Sequence, residues 1–385
     1  MKKTILQILK FIGAFAFGGI IGLVGISIIL VLFTDITFNQ FITKLFNLNW
    51  VDTIGIMLLS ILFLILSFTL HIILHEGGHC IAGLLSGYRF VSFRIGNITL
   101  LRTNNKLRIK SFSIEGTGGQ CLMMPPQKPI NDIPTMLYNL GGVLSNIFFS
   151  LIATVIFIYT TSAPVATFCV IFALIGLLIA LINGIPMKIG GVSNDGNNVL
   201  YLNKNPKAKE AFVYQLIANA LIQDGIRPSE LPSEYLSFDT DIDYKDPLAV
   251  NWLILSISTL IDKQEYDRAY DLLDYAMQHR KDIMQLFVNE IACELVYTAL
   301  LTGRTEQAQE LYDKDLAHYV EQHKEVMSSK QRLCFALAIY IDKDIEKARK
   351  IYLEVQDRRD SYLMQGEVKM DLALMEEILS TKKVS

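Results

Sequence analysis

Long uncharged apolar stretches limit what this chain can fold into more than any other feature of its sequence. Residues 133–187 contain no Asp, Glu, Lys or Arg, and neither do residues 54–70. A helix needs about 20 apolar residues to cross the roughly 30 Å hydrocarbon core of a bilayer. Turn residues at 160–164 divide the longer stretch in two. The sequence therefore predicts membrane-spanning helices at residues 53–87, 133–159 and 164–187.

A further apolar run, residues 11–34, predicts a fourth span that comes first in the chain. Lys2, Lys3 and Lys10 precede it, and the loop at residues 88–132 holds seven basic residues against two acidic ones. Segments rich in Lys and Arg stay on the cytoplasmic side of a membrane. The interpretation is a multi-pass protein of the cell membrane with both termini in the cytoplasm.

The basic loop at residues 88–132 also contains short segments typical of β-strands, at 90–95, 98–102 and 107–112. Asn104 and Asn105 lie between the last two and predict a hairpin turn. We expect a small cytoplasmic β element beside the membrane. Its free edge is suited to pair with an extended peptide, and a sheet that merely caps the bundle is the equally weighted alternative.

Beyond about residue 200 the sequence becomes charged and amphipathic. Residues 201–247 indicate a helix and a linker, and residues 248–385 a soluble cytoplasmic domain of helices. Three similar segments contain Ala269, Ala308 and Ala348, which are 39 and 40 residues apart. They resemble tetratricopeptide-type helical hairpins, although the period exceeds 34 residues. Such repeats usually bind a peptide or protein, so a protein partner is expected here; a plain helical domain is the alternative.

The predicted fold class is mainly α. A polytopic membrane bundle of four spans with a small cytoplasmic β element occupies residues 1–200, and a C-terminal repeat-like helical domain follows the linker. The net charge of -3 argues against a nucleic-acid partner. Five scattered cysteines without a CxxC pair argue against a disulfide framework or a Cys-based zinc site.

The motif that carries chemistry is HExxH, at the cytoplasmic end of the second span. His75 and His79 lie one helical turn apart on one face, where both imidazoles can bind one metal ion. Glu76 is about 100° round the helix and can reach a water at that metal. His71 stands one turn earlier on the same stripe. It is either a group behind the ligands or facing substrate, or a hydrogen-bonded histidine of the bundle.

A third ligand is expected from the chain that follows the last two spans. On the predicted topology, Asp195 returns to the side of the membrane that carries His75 and His79. Catalytic zinc takes three protein ligands and keeps one position open. Asp195 is therefore the candidate that completes the site.

Several of these features together resemble the site-2 protease family of intramembrane zinc metalloproteases, in a divergent bacterial branch. They are the HExxH motif in a span, the Gly-rich helix segment 141–146, Asn183 with Pro186, and Asp195-Gly196. The spacing of twelve residues between Asn183 and Asp195 is longer than in the best-known members, and Asn194 stands where Leu or Ser is more usual.

The resemblance implies that His75, His79 and Asp195 bind Zn²⁺ and that Glu76 is the general base and acid. It also implies polar roles near the active site for Asn146 and Asn183, which would hold the substrate strand or the oxyanion. Hydrogen bonding between helices is the equally weighted alternative for both Asn residues.

The predicted function is that of a zinc-dependent metalloendopeptidase. Its substrate would be a membrane-inserted peptide or a single-span protein, cut near the cytoplasmic face by metal-activated water. One alternative is a catalytically idle membrane scaffold, or an immunity or export accessory protein, that binds a peptide or transporter through its helical repeats. A metal transporter that uses the histidine stripe is the third interpretation.

Overall fold

The computed structural model describes residues 49–103, 106–111, 118–189 and 191–382. The span predicted at residues 11–34 and the turn predicted at Asn104-Asn105 lie outside these residues. The chain divides into two compact units, residues 1–65 and 66–385, and each is described by itself. In the described residues the protein is mainly helical with a small β-sheet.

The α-helices are α1 (Trp50–Leu85), α2 (Thr135–Tyr159), α3 (Ala163–Gly184), α4 (Asp195–Lys204), α5 (Pro206–Gln223), α6 (Pro247–Asp262), α7 (Tyr266–Gln278), α8 (Gln285–Leu301), α9 (Thr305–Leu311), α10 (Lys314–His323), α11 (Ser328–Tyr340), α12 (Ile345–Asp357) and α13 (Gln365–Lys382). The strands are β1 (Arg89–Ile95), β2 (Ile98–Thr103), β3 (Lys106–Ser111), β4 (Gly119–Met124), β5 (Lys188–Ile189) and β6 (Val192–Ser193). Short 3₁₀ turns occupy Ile130–Asp132, Pro228–Glu230, Ser233–Tyr235 and Arg359–Ser361.

The described part of the first unit is the start of α1. Asn49 precedes this helix, and its side-chain oxygen accepts the backbone amide of Asp52 at 2.8 Å, which satisfies one of the free amides of the first turn. The helix then exposes large apolar side chains such as Ile54, Leu58 and Leu62. Exposed apolar surface of this kind is unfavourable in water and typical of a helix that faces lipid.

Three helices of the described residues are long and apolar enough to cross a membrane: Ile54–Leu85, Ile130–Tyr159 and Ala163–Gly184. They coincide with the predicted spans 53–87, 133–159 and 164–187. Within the second unit, α2 and α3 form an antiparallel hairpin and pack along their length. Where α1 crosses α2, a Cβ added to Gly78 would overlap the backbone of Gly141, and one added to Gly141 would overlap that of Gly78. Paired glycines allow this close approach of two helices.

A glycine turn ends α1 and reverses the chain into the sheet. Gly87 has a φ of +83°, which favours glycine. The amide of Tyr88 donates to the carbonyl of Gly83 at 2.9 Å, and the amide of Gly87 donates to that of Leu84 at 3.1 Å. These two bonds are the Schellman arrangement that closes a helix. The chain therefore enters β1 only ten residues after His79.

The main sheet is antiparallel, with strand order β3-β2-β1-β4. The segments predicted as strands at 90–95, 98–102 and 107–112 correspond to β1, β2 and β3. Strand β4 was not predicted, because its residues Gly-Gln-Cys-Leu-Met-Met lack the β-branched and aromatic side chains that mark a strand. Pairing with β1, from Ile95 opposite Gly119 to Arg89 opposite Met124, holds it as an edge strand.

The helices after α4 enclose the largest buried apolar cluster of the described residues. Helix α5 packs against both β4 and α6, so the second unit is continuous from the sheet to these helices. Ala269, Ala308 and Ala348, in α7, α9 and α12, are completely buried. Small side chains at these positions let each helix approach the preceding one closely.

Buried charges cross the interior of the C-terminal helices, and we call them the C-terminal ionic network. Lys330 pairs with Glu290 at 2.9 Å, and Arg332 pairs with Glu294 at 2.6 Å and with Asp371 at 2.8 Å. The guanidinium of Arg332 also lies over the ring of Tyr297, 3.9 Å from its centroid. Burial alone would lower the pKa of Arg332, but its carboxylate partners outweigh burial and raise it.

Candidate metal centre

The HExxH motif lies within α1, in the second unit. His75 and His79 are each 8 % exposed, and their Nε2 atoms are 3.2 Å apart. The helical period alone explains why both rings point to the same side. The partner elements decide what they meet there: α2 lies against α1 at this level, and α4 begins beside it.

Asp195 is the first residue of α4, and Asn194 is the cap that fixes it. The side-chain oxygen of Asn194 accepts the amides of Asn197 at 2.9 Å and Met187 at 3.1 Å. Its amide nitrogen donates to the carbonyls of Ile182 and Ile185, both at 2.6 Å. Asn194 thus ties the start of α4 to the end of α3. A carboxylate at the first residue of a helix is also stabilised by the helix dipole.

The Oδ2 atom of Asp195 lies 3.1 Å from Nε2 of His75 and 3.4 Å from Nε2 of His79. Zinc bonds to His nitrogen and carboxylate oxygen are roughly 2.0–2.2 Å long in tetrahedral sites, so neighbouring ligand atoms lie about 3.3 Å apart. The three distances in this site match that value. The three residues are also the group of His, Cys, Asp and Glu in the described residues that is arranged to hold a metal ion.

The protons around the site favour a cation as well. Nδ1 of His79 lies 2.7 Å from the carbonyl oxygen of Tyr138, which can only accept. The proton of neutral His79 is therefore on Nδ1, and Nε2 is bare. Burial opposes ionisation of Asp195, but His75 and His79, when they carry a proton on Nε2, outweigh burial and lower the pKa of Asp195 to about 2. When Nε2 is bare on both rings, the buried Oδ2 of Asp195 has no hydrogen-bond donor among the described residues. Electron-rich atoms brought together in this way fit a divalent cation.

Gly142 is the point of α2 nearest to this site. A Cβ on Gly142 would lie 2.6 Å from Nε2 of both His75 and His79. No side chain fits at this position without displacing the two imidazoles. The glycine therefore lets α2 pack directly against the two imidazoles at their ligand nitrogens.

Glu76 faces the sheet. The backbone amide of Cys121, in β4, donates to its carboxylate, and a Cβ on Gly119 would lie 2.7 Å from its Cγ. Arg94 of β1 is 2 % exposed and donates to the carbonyl of Gly119 at 3.4 Å. Burial lowers the pKa of the Arg94 guanidinium, and the nearby Glu76 carboxylate partly offsets this effect. Strand β4 thus orients Glu76 beside the ligands.

The two predicted asparagines have different environments. Asn146 is completely buried in α2, with one end of its amide 3.2 Å from Nδ1 of His75 and the other 3.2 Å from Nδ1 of His71. It makes the interhelical hydrogen bonds that were the alternative to a substrate role. Asn183 donates to the carbonyl of Ile179 in its own helix at 3.0 Å. A role for either residue toward substrate or oxyanion stays a prediction.

Sequence reasoning missed Tyr138, Asn194, Gly142 and the amide of Cys121. Asn194 carried a signal, because Asn directly before Asp-Gly is a common helix N-cap pattern. The glycine pair at residues 141–142 also indicated a close approach. Tyr138 and Cys121 contribute backbone atoms, and a backbone carbonyl or amide has no signature in the sequence.

Comparison with protein-family models, with curated proteins and with solved structures found no match to this chain.

Proposed function

We propose that this protein is a zinc-dependent intramembrane metalloendopeptidase. The observation that carries the proposal is the meeting of three electron-rich ligand atoms, from His75, His79 and Asp195, within 3.4 Å of one another. His75, Glu76 and His79 lie in α1, which is long and apolar enough to cross a membrane, and Asp195 begins α4 beside them. Three protein ligands with a neighbouring carboxylate are the donor set of hydrolytic zinc sites.

Zinc, when bound, makes a water acidic and polarises the scissile carbonyl. Glu76 accepts one proton from the attacking water and delivers it to the leaving amide nitrogen, while the water oxygen forms the new bond to the carbonyl carbon. The amide of Cys121 holds the carboxylate of Glu76 toward this position.

The proposed substrate is a membrane-inserted peptide or a single-span protein. A spanning helix hides its carbonyls in backbone hydrogen bonds, so it has to unwind before attack. Edge strand β4 is the proposed partner for strand addition by an unwound segment, beyond Cys121 toward Met124, because the carbonyl of Cys121 already accepts the hydroxyl of Tyr138 at 2.7 Å. A cleft of about 830 Å³ begins at Met124, the last residue of β4, and continues past Pro126, Lys128 and Tyr214. It provides a path for the cytoplasmic part of the substrate.

We further propose that the protein is a multi-pass protein of the cell membrane with both termini in the cytoplasm. Its C-terminal helices would form tetratricopeptide-like hairpins that recruit the substrate or a partner protein. The complete burial of Ala269, Ala308 and Ala348 supports this interpretation, because equivalent small residues recur at the same place in successive hairpins.

The first experiment measures bound zinc in detergent-purified protein. We expect about one zinc per chain in the wild type, with loss of zinc in His75→Ala and in Asp195→Ala. The matched control is His318→Ala, an exposed histidine of α10, which should retain the metal. Retention of zinc in Asp195→Ala would remove that residue from the site.

A second experiment tests catalysis separately from binding. Glu76→Gln should retain zinc but allow membrane peptides or single-span proteins to accumulate in cells, because the proton acceptor is lost. A wild type without zinc, or a Glu76→Gln protein with full cellular function, would contradict the protease and support the idle scaffold.

A further inference from the structure

Behind the candidate metal centre, buried polar groups connect all three bundle helices. Nε2 of His71 in α1 lies 2.9 Å from the carbonyl oxygen of Phe172 in α3. Nδ1 of the same ring is 3.2 Å from Oδ1 of Asn146 in α2, and Nδ2 of Asn146 is 3.2 Å from Nδ1 of His75. His71 and Asn146 are completely buried. Water is therefore not available to replace these bonds.

The contact with Phe172 decides where the proton of His71 lies. A carbonyl oxygen only accepts hydrogen bonds, so Nε2 of His71 carries the hydrogen. In the neutral ring Nδ1 is then bare and needs a donor. The group in contact with Nδ1 is the amide of Asn146, which must present its nitrogen to His71.

The candidate metal centre requires the same orientation of the Asn146 amide, through its contact with His75. Nε2 of His75 is the atom that faces Asp195 and His79. An imidazole that binds a metal is bare at the binding nitrogen, so Nδ1 of His75 carries the hydrogen and needs an acceptor. The amide of Asn146 must present its oxygen to His75.

Both ends therefore require one orientation of the Asn146 amide. This orientation exchanges the positions of Oδ1 and Nδ2 given above. The two atoms have the same shape, so the exchange leaves both distances at 3.2 Å, and the hydrogen bonds decide the assignment. The opposite orientation would put the proton of His75 on Nε2 and require His71 to donate from both nitrogens. His71 would then be a cation, and neither of its hydrogen-bond partners is a carboxylate. Such a charge is costly in an apolar bundle.

We propose that His71 is a positioning residue of the metal centre. It holds the Asn146 amide in the orientation that keeps the proton of His75 on Nδ1, and His75 thus presents a bare Nε2 before any metal arrives. The site is built around this ring: a Cβ on Gly176 of α3 would overlap His71. The role toward zinc rests on the proposed function, whereas the proton position on His75 does not.

Zinc affinity, measured by competition with a chromophoric chelator, tests the role toward the metal. His71→Leu removes the acceptor for Asn146 and should weaken zinc binding about 10–100-fold. His71→Asn should stay close to the wild type, because its side-chain oxygen can take the place of Nδ1. The control is Ser67→Ala, one turn earlier in α1: Ser67 is equally buried, and its hydroxyl has no hydrogen-bond partner. Equal zinc affinity of His71→Leu and the wild type would overturn the proposal.

The ring-nitrogen spectrum of ¹⁵N-histidine-labelled, metal-free protein tests the proton positions without zinc or substrate. We expect His71 to carry its proton on Nε2 and His75 on Nδ1, with signals assigned from His71→Asn and His75→Ala. In His71→Leu the signal of His75 should show a mixture of both tautomers. Two results would contradict the positioning role of His71: a proton on Nε2 of His75 in the wild type, or a tautomer of His75 that stays the same in His71→Leu.

The two measurements separate the hypotheses. A wild-type protein that binds no zinc but has the expected proton positions would contradict the proposed enzyme. It would still support the effect of His71, through Asn146, on the proton of His75. If His71 only filled space, His71→Leu would bind zinc like the wild type, the smaller His71→Asn would be the weaker variant, and the tautomer of His75 would not change. That result would refute the positioning role.

Discussion

Two buried clusters of ionisable groups occur in the second unit, and they are balanced in different ways. The C-terminal ionic network contains its own cations: Lys330 and Arg332 are almost completely buried among carboxylates. In the candidate metal centre, the ion pairs of the described residues join Asp195 only to His75 and His79. A buried carboxylate needs a counter-charge. The network provides this counter-charge from its own Lys and Arg side chains, whereas His75, His79 and Asp195 are arranged to take it up as a metal ion.

This difference shows how buried charges that stabilise the fold can be distinguished from buried charges that bind a ligand. Buried polar groups that satisfy one another stabilise a unique packing. A set of acceptors that is left without a donor at its centre is incomplete as a structure and becomes complete with a ligand. The first cluster should therefore respond to mutation in folding, and the second in metal binding.

The largest effect is expected when the network loses its central cation. Arg332→Leu leaves Glu294 and Asp371 buried without their partner and should destabilise the C-terminal helices by about 3–5 kcal/mol. Urea unfolding followed by the fluorescence of Trp252, in a Trp50→Phe background, measures this loss. Zinc content should stay unchanged. Arg268→Leu is the control, because its pair with Glu265 is exposed and contributes at most about 1 kcal/mol.

A loss of stability with Arg268→Leu as large as with Arg332→Leu would contradict the special role of the buried cation. A loss of zinc with Arg332→Leu would mean that the two clusters are coupled. It would contradict the distinction between a cluster that stabilises the fold and one that binds metal.

The next effect concerns the space at the ligand atoms. Gly142→Ala places a methyl group against both imidazoles, and overpacking of this kind costs about 1–3 kcal/mol. Zinc affinity should therefore fall about 5- to 150-fold. Gly77→Ala is the control within the motif itself, because a Cβ there meets nothing within 4 Å. Equal zinc affinity of the two alanine variants would show that Gly142 is not needed for the site.

The last effect is a dependence of folding on pH. Burial, followed by repulsion from Asp371, raises the pKa of Glu367 to about 8, whereas a free Glu titrates near 4.5. The folded protein thus binds a proton that the unfolded chain releases. This contribution to stability is complete below pH 4.5 and is lost as the pH rises through about 8. We expect the stability of the C-terminal helices, measured by the urea midpoint, to fall over this range with a slope of about 1.4 kcal/mol per pH unit.

Glu367→Gln keeps the hydrogen-bonding shape without a titrating group, so it should flatten the pH profile between pH 5 and 8.5. Asp371, whose pKa is raised to about 6 by burial, contributes with the same sign at lower pH. A midpoint that rises with pH in the wild type would show that Glu367 is ionised in the folded protein.

Several features could be predicted from the sequence because they depend on local pattern. Long uncharged runs predicted the spans that coincide with α1, α2 and α3, and alternation in the basic loop predicted β1 to β3. The helical period alone predicted that His75 and His79 share a face. The chain's return after two spans predicted that Asp195 comes near them, and the structure brings the three residues together.

The tertiary structure decided the contacts that are made by backbone atoms and by glycines at helix crossings. The carbonyls of Tyr138 and Phe172 set the protons of His79 and His71, and any residue type supplies such a carbonyl. The close contact of Gly142 with both imidazoles exists because α2 crosses α1 at that level. A sequence records side chains, so it determined which ligands the protein carries. The crossing of the helices determined which nitrogen of each ring is free to bind.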